Sequence, residues 1–212
     1  MKQRFVTLII ILTIIISCKK SEENPIVYQS TLSASDPSWY TGSGVGYSIG
    51  FSQGKYEIST TSSGSFAYAF APVSSISYPY SISVDASIQL TDTSKLGYCG
   101  FIFNFVDIND YTALMITSGG RFGIFEFANG SYSMPVPITQ TNALKQGSGV
   151  VNTIQLTQNS NSVEIRINDT VINNFTLALV SNGRVGLFAQ SATDRSFTNT
   201  IGGFNNLVMK KL

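Results

Sequence analysis

The sequence predicts an all-β chain folded as an antiparallel sandwich, and three observations carry that prediction. Past the first seventeen residues no segment sustains the apolar period of a helix. Turn-forming residues recur at roughly ten-residue intervals, the spacing of short strands in a sandwich or barrel. The stretch Leu96–Phe127 reads as three consecutive strands, Leu96–Phe105, Tyr111–Thr117 and Arg121–Phe127, joined by the turns VDIND and SGG. A meander this apolar is not stable alone in water and requires a larger sandwich around it.

Residues 1–17 stand apart from that pattern. Lys2 and Arg4 precede the nearly unbroken apolar run Phe5–Ile16, which is too short to span a bilayer comfortably and reads as an export signal. Ile15-Ile16-Ser17-Cys18 resembles a bacterial lipobox, which implies acylation of Cys18 and a mature chain starting there. The expected address is therefore the bacterial cell envelope, lipid-anchored, at the outer membrane facing periplasm or surface. Several acyl chains on one Cys hold a protein durably, since each buried methylene contributes about 0.8 kcal/mol. Residues 18–27, CKKSEENPIV, are polar and read as a flexible tether, which leaves 28–212 as one domain.

Within that domain, Ser35-Asp36-Pro37-Ser38-Trp39 reads as a turn into an early strand, and the glycine-rich 42–46 as a flexible loop. Lys55–Thr60 and Ser65–Ala71 read as a hairpin. Tyr80–Leu90 alternates well, with Ile82, Val84, Ala86, Ile88 and Leu90 on one face. Pro135 and Pro137 make Ser131–Ile138 an edge strand or loop, because proline donates nothing to a ladder. Further strands are expected at Val151–Thr157, Val163–Asn168, Val171–Phe175, Arg184–Ala189 and Phe204–Met209.

Composition excludes several chemistries. The chain contains no His, so a Ser-His-Asp triad, a Cys-His pair and His-containing zinc sites are excluded. There are two cysteines; with Cys18 acylated, Cys99 has no intramolecular partner and reads as a buried apolar residue. Loss of Lys2 and Arg4 leaves 11 basic against 12 acidic residues, scattered along the chain, which argues against nucleic acid as a partner. No phosphate-binding glycine loop is present.

Six segments occur in an order that resembles a known family: Gly100–Phe103, Asp107–Tyr111, Asn152–Leu156, Val163–Asn168, Gly183–Leu187 and Phe204–Val208. The set is similar to the concanavalin A-like, laminin G-like jelly rolls of bacterial secreted proteins, including the 3-keto-disaccharide hydrolase type. The resemblance spans 39–209 and implies a single jelly-roll β-sandwich that handles sugars. Two residues depart from the pattern. Asn104 stands where relatives often have Arg, and Asn205 where they have Asp, so each face loses a charge.

Glycoside hydrolysis needs two carboxylates held about 5–9 Å apart across the bond. Glu57, Glu126 and Glu164 are each alone on their strands, so Glu126 with Asp110 or Asp85 from another strand is the residual catalytic pairing. Asp107, Asn109 and Asp110 have the oxygen donors of a structural calcium site but are also ordinary turn residues. No other cofactor is expected. Tyr and Trp offer an apolar face and a polar tip to a sugar ring, which singles out Trp39, Tyr98, Tyr111 and Tyr132, with Asn104 and Arg121 as hydroxyl partners. The Phe residues of the meander are assigned to the core. The expected function is a lipid-anchored module that binds an oligo- or polysaccharide without cleaving it. The alternatives are a 3-keto-disaccharide hydrolase-type enzyme and an adhesive lipoprotein whose partner is another envelope protein.

Overall fold

The computed structural model describes residues 24–74, 76–77, 79–177, 183–192 and 198–212. The expected signal sequence and Cys18 lie outside the described residues. Among the described residues there is no helix, and so none long and apolar enough to cross a membrane.

The described residues form fifteen strands in two antiparallel sheets packed face to face. The larger has nine strands: β1 (Ile26–Ser30), β2 (Gly42–Gly44), β3 (Tyr47–Ser52), β4 (Lys55–Thr60), β6 (Tyr80–Leu90), β11 (Val151–Asn159), β12 (Ser162–Ile167), β13 (Thr170–Thr176) and β15 (Thr200–Lys211). The smaller has six: β5 (Phe66–Phe70), β7 (Gly97–Asp107), β8 (Asp110–Thr117), β9 (Arg121–Ala128), β10 (Ser131–Gln140) and β14 (Arg184–Ser191). Across the larger sheet the order is β13-β12-β11-β6-β15-β4-β3-β2, with β1 beside the second half of β15; across the smaller it is β10-β9-β8-β7-β14-β5.

Period-two alternation builds the shared core. From the larger sheet Tyr56, Ile58, Ile82, Val84, Ile154, Leu156, Ile165 and Phe204 point inward; from the smaller come Phe101, Phe103, Leu114, Ile124 and Leu187. Cys99 is a member of this core, a free thiol that donates to Ser87 O at 3.8 Å and is pushed to higher pKa by burial. Trp39 belongs here too: 2 % exposed, it lies 4.8 Å from Tyr56 and donates its indole N–H to the Tyr28 hydroxyl at 2.8 Å.

Three expectations change. The strands read as one hairpin, β4 and β5, lie in different sheets, β4 pairing with β3 and β15 and β5 with β14. Both alternate correctly; alternation says nothing about which sheet receives a strand. The actual hairpin is β3–β4, turned through Gln53 and Gly54 at φ 50° and 73°. The glycine-rich stretch 42–46 is partly a strand, because the rings of Tyr40 and Tyr47 fold over Gly42 and Gly44, where a Cβ would lie 2.4 Å and 2.5 Å from ring substituents and atoms. Finally, β1 starts at Ile26, inside the stretch read as tether, and Pro25 accepts a bond from Lys211 N–H at 3.0 Å. As expected from Pro135 and Pro137, β10 is an edge strand, and its register slips on either side of Val136.

A bulge in β7 shapes the smaller sheet. Its register against β8 slips between Phe103 and Asp107, and Asn104 has φ 53°, a left-handed conformation that Asn tolerates better than most side chains. The extra residue turns Phe105 to the face opposite Phe103. Gly183 fits against this bulge because a Cβ there would come within 2.6 Å of the Asn104 Cα.

Candidate functional site

The smaller sheet carries a second apolar layer on its outward face. Ile102, Phe105, Tyr111, Ala113, Met115, Phe125 and Phe188 form its buried floor, with Phe66, Tyr68, Phe70, Tyr98, Phe127 and Met134 half-buried around them. The meander phenylalanines therefore divide between two layers. Phe101, Phe103 and Phe122 fill the inter-sheet core, while Phe105, Phe125 and Phe127 lie outside it, a correction to their common assignment.

One row of rings crosses the sheet from edge to edge. It runs from Tyr132 on β10 to Phe127 on β9 (5.5 Å between centroids), Tyr111 on β8 (5.1 Å), Phe105 on β7 (5.9 Å) and Phe70 on β5 (4.5 Å). The intervening strand, β14, completes the row with Arg184, whose guanidinium carbon sits 3.8 Å from the Phe70 centroid. The first three spacings are close to the separation of neighbouring strands, so pairing register places those rings in line, whereas Phe70 reaches Phe105 across the intervening β14.

Two clefts open along this face. One, of about 320 Å³, is lined by Phe66, Tyr98, Tyr111, Phe127, Tyr132 and Gln190, among others. The second, of about 520 Å³, lies at the β5 edge, where Tyr68, Phe70 and Arg184 face Ser38, Tyr40 and Tyr47 from the other side. Phe66 lines both, so the clefts meet across its ring. Among the described residues no Asp or Glu lines either cleft. Tyr111 is pushed up to about 12, chiefly by burial and then by the Tyr68 and Tyr132 phenols, so its hydroxyl stays protonated at neutral pH.

Tyr98, Tyr111 and Tyr132, expected as sugar-facing, come together in the smaller cleft. Tyr132 is 59 % exposed, whereas Tyr111 is floor, at 6 %. The other three ligand candidates are elsewhere. Trp39 is core, with no open ring face. Asn104 is 2 % exposed, at the bulge. Arg121 lies at the far end of β9, its Nε donating to Gln140 Oε1 at 3.3 Å. Asn205 makes the charge loss intelligible: its amide donates to Gly54 O at 2.7 Å, which a carboxylate cannot do.

The carboxylates are not gathered. Glu126 alternates with Phe125 and Phe127 and so projects from the opposite face, where Ser133 Oγ donates to it at 3.3 Å. Asp110 sits at the β7–β8 turn, and Asp85 on the outward face of the larger sheet, accepting from Thr153 Oγ1 at 2.6 Å and Asn206 Nδ2 at 2.8 Å. Of the calcium candidates, Asp107 Oδ1 already accepts the Asn109 N–H at 2.7 Å, an ordinary turn cap. Among the described residues there is no group of three or more Cys, Asp or Glu that could hold a metal ion.

Phe66, Tyr68, Phe70 and Arg184 were missed from sequence. The three aromatics had a signal in FAYAF, an aromatic every second residue with alanines between, which requires one small-residue and one large-residue face.

No protein-family model matches the chain, and neither does any curated protein. Solved structures do. The carbohydrate-binding module CBM66 from Bacillus subtilis superposes with a TM-score of 0.62 at 15% identity, over 82% of this chain and 96% of that one. The carbohydrate recognition domain of Emp46p, in its metal-free form, gives 0.60 at 15%, over 85% and 93%. A Bacteroides ovatus mixed-linkage glucan GH16 protein, solved with a G4G4G3G product, gives 0.60 at 12%, over 87% and 100%. At these identities the likeness is one of fold, and it identifies the sandwich as a concanavalin A-like, galectin-like jelly roll.

Proposed function

We propose that this protein binds an oligo- or polysaccharide on the outward face of the smaller sheet and does not cleave it. The observation that carries the reading is the row of rings from Tyr132 to Phe70, on an outward apolar layer whose members all come from the smaller sheet. An antiparallel sheet normally turns a polar face to water. An outward layer of rings, edged by tyrosine hydroxyls and Gln190, suits a ligand with apolar C–H faces and hydroxyl rims, which is what a sugar presents. The fold neighbours described as carbohydrate-binding or carbohydrate-recognising support the same reading. Binding without hydrolysis is supported by clefts that no described carboxylate lines and by Glu126 projecting from the other face.

Calorimetry against a panel of neutral and acidic polysaccharides tests this. Saturable binding by the wild type, weakened about 30-fold in Tyr132→Ala or Phe127→Ala, is the expected result, the size of a roughly 2 kcal/mol aromatic anchor. Absence of binding across the panel sinks the reading. Shortened glycan in the same mixtures, lost in Glu126→Gln, sinks its non-catalytic half.

The proposal includes anchorage at the cell envelope through acylated Cys18, supported by the apolar run before it and the polar residues after it. Metabolic labelling with a fatty acid is expected to tag the wild type and not Cys18→Ser; equal labelling of both removes the anchor.

A further inference from the structure

Charge is distributed unequally along the ring row. The cleft at the Tyr132 end has no charged residue among its described lining, whereas the cleft at the other end has one, Arg184. Among the described residues no carboxylate pairs with that guanidinium; the ion pair present there joins Arg166 and Glu164 on the larger sheet. Arg184 is exposed, yet it is held against the Phe70 ring at 3.8 Å, so its planar donors are restrained beside an open cleft of about 520 Å³. Tyr40 and Tyr47 face it from the β2–β3 side of that cleft. A guanidinium held in this way is suited to a carboxylate or sulfate, which it bonds through two parallel N–H donors.

We infer that the ligand is an acidic glycan laid along the row in one direction, its uncharged rings toward Tyr132 and a carboxylate- or sulfate-bearing sugar in the cleft at Arg184. This rests on the glycan-binding reading above and specifies its ligand. Phe66, shared by both clefts, makes the two subsites contiguous, so one chain spans them.

The test is calorimetry on the full chain with three probes: hyaluronan oligomers, whose carboxylate-bearing sugars alternate with uncharged ones, a sulfated galactan and neutral β-glucan oligomers. At least one acidic probe is expected to bind tenfold or more tightly than the neutral one at low salt. Comparison of the first two separates carboxylate from sulfate. The preference shrinks in about 1 M salt, where the Debye length is about 3 Å. Arg184→Gln brings the acidic-to-neutral ratio to about one. Arg184→Lys keeps part of it, having charge without the planar fork. Phe127→Ala weakens both classes in parallel. Equal binding of acidic and neutral probes, or a ratio unmoved by Arg184→Gln, overturns this inference and leaves glycan binding standing. Silence with every probe overturns both.

Discussion

The larger sheet turns Lys55, Glu57, Asp85, Thr153, Glu164 and Arg166 outward, while the smaller turns out Phe66, Tyr68, Phe70, Phe127 and Tyr132. Both obey the same two-residue alternation, and both send apolar side chains into the shared core. They differ in what is left over. On the larger sheet the outward residues satisfy one another: Lys55 Nζ donates to Ser87 Oγ at 3.2 Å, Asp85 holds Thr153 and Asn206, and Arg166 meets Glu164 at 2.6 Å. On the smaller sheet the outward residues are mostly rings with few polar atoms to satisfy. One face is a finished surface, and the other is built as if something else completes it. Exposed apolar area of that kind marks a binding surface more often than an accident of composition.

Substitutions break this contrast in order of size. Phe103→Ala, in the inter-sheet core, is expected to cost about 3–5 kcal/mol in chemical denaturation, the usual penalty for emptying a buried aromatic site. Phe127→Ala, on the outward layer, is expected to cost about 1 kcal/mol or less by the same assay while weakening glycan binding about 30-fold. Similar losses of stability in the two variants would mean that the outward layer is a second core and not a recognition surface. Asp85→Ala removes the shared acceptor of Thr153 and Asn206 on the larger sheet. It is expected to cost about 1 kcal/mol of stability and leave calorimetric binding unchanged. Arg166→Ala breaks a half-exposed pair and is expected to change stability by about 0.5 kcal/mol or less.

Alkaline titration sharpens the contrast without substitution. Burial raises the phenols of Tyr56, under the larger sheet, and Tyr111, in the smaller sheet's outer layer. A raised folded-state pKa means that the unfolded chain loses its proton first. The stabilisation is complete below about pH 10, the unfolded phenol value, and is lost as pH rises through about 12 for Tyr111. Denaturation curves are expected to be flat in pH at neutrality and to shift to lower denaturant above about pH 10. Saturating glycan should displace the ultraviolet titration of the tyrosines only if Tyr111 or its neighbours lie beneath it.

Much of this architecture was legible in the residues. Tyr80–Leu90 alternates so cleanly that its inward face was readable directly, and the prolines of β10 marked an edge. Asn152 and Asn168, two positions of the family resemblance, bond each other at 2.8 Å and hold the backbone at Ala143 and Lys145. The smaller sheet was harder for a definite physical reason. When both faces of a strand are apolar, a period of two no longer says which face is inside. Phe125 and Phe127 therefore read like Phe101 and Phe103. Likewise β5 and β4 read as neighbours because a short turn joins them, although pairing across the sandwich separates them. Of the site, the tyrosines were recognisable by type, but Arg184 was not, since its role comes from packing on a ring 114 positions earlier in the chain.

The bulge at Asn104 has a consequence for how such a surface is gained or lost. Phe105 stands at the middle of the ring row only because one additional residue shifts the phase of β7 before it. Regular pairing through Asn104, without the bulge, would send that ring to the other side and divide a continuous platform into two short ones. Composition would scarcely change. Ligand length would then be governed by the pairing of the backbone, so that the presence or absence of one bulge alters how long a ligand the face accommodates.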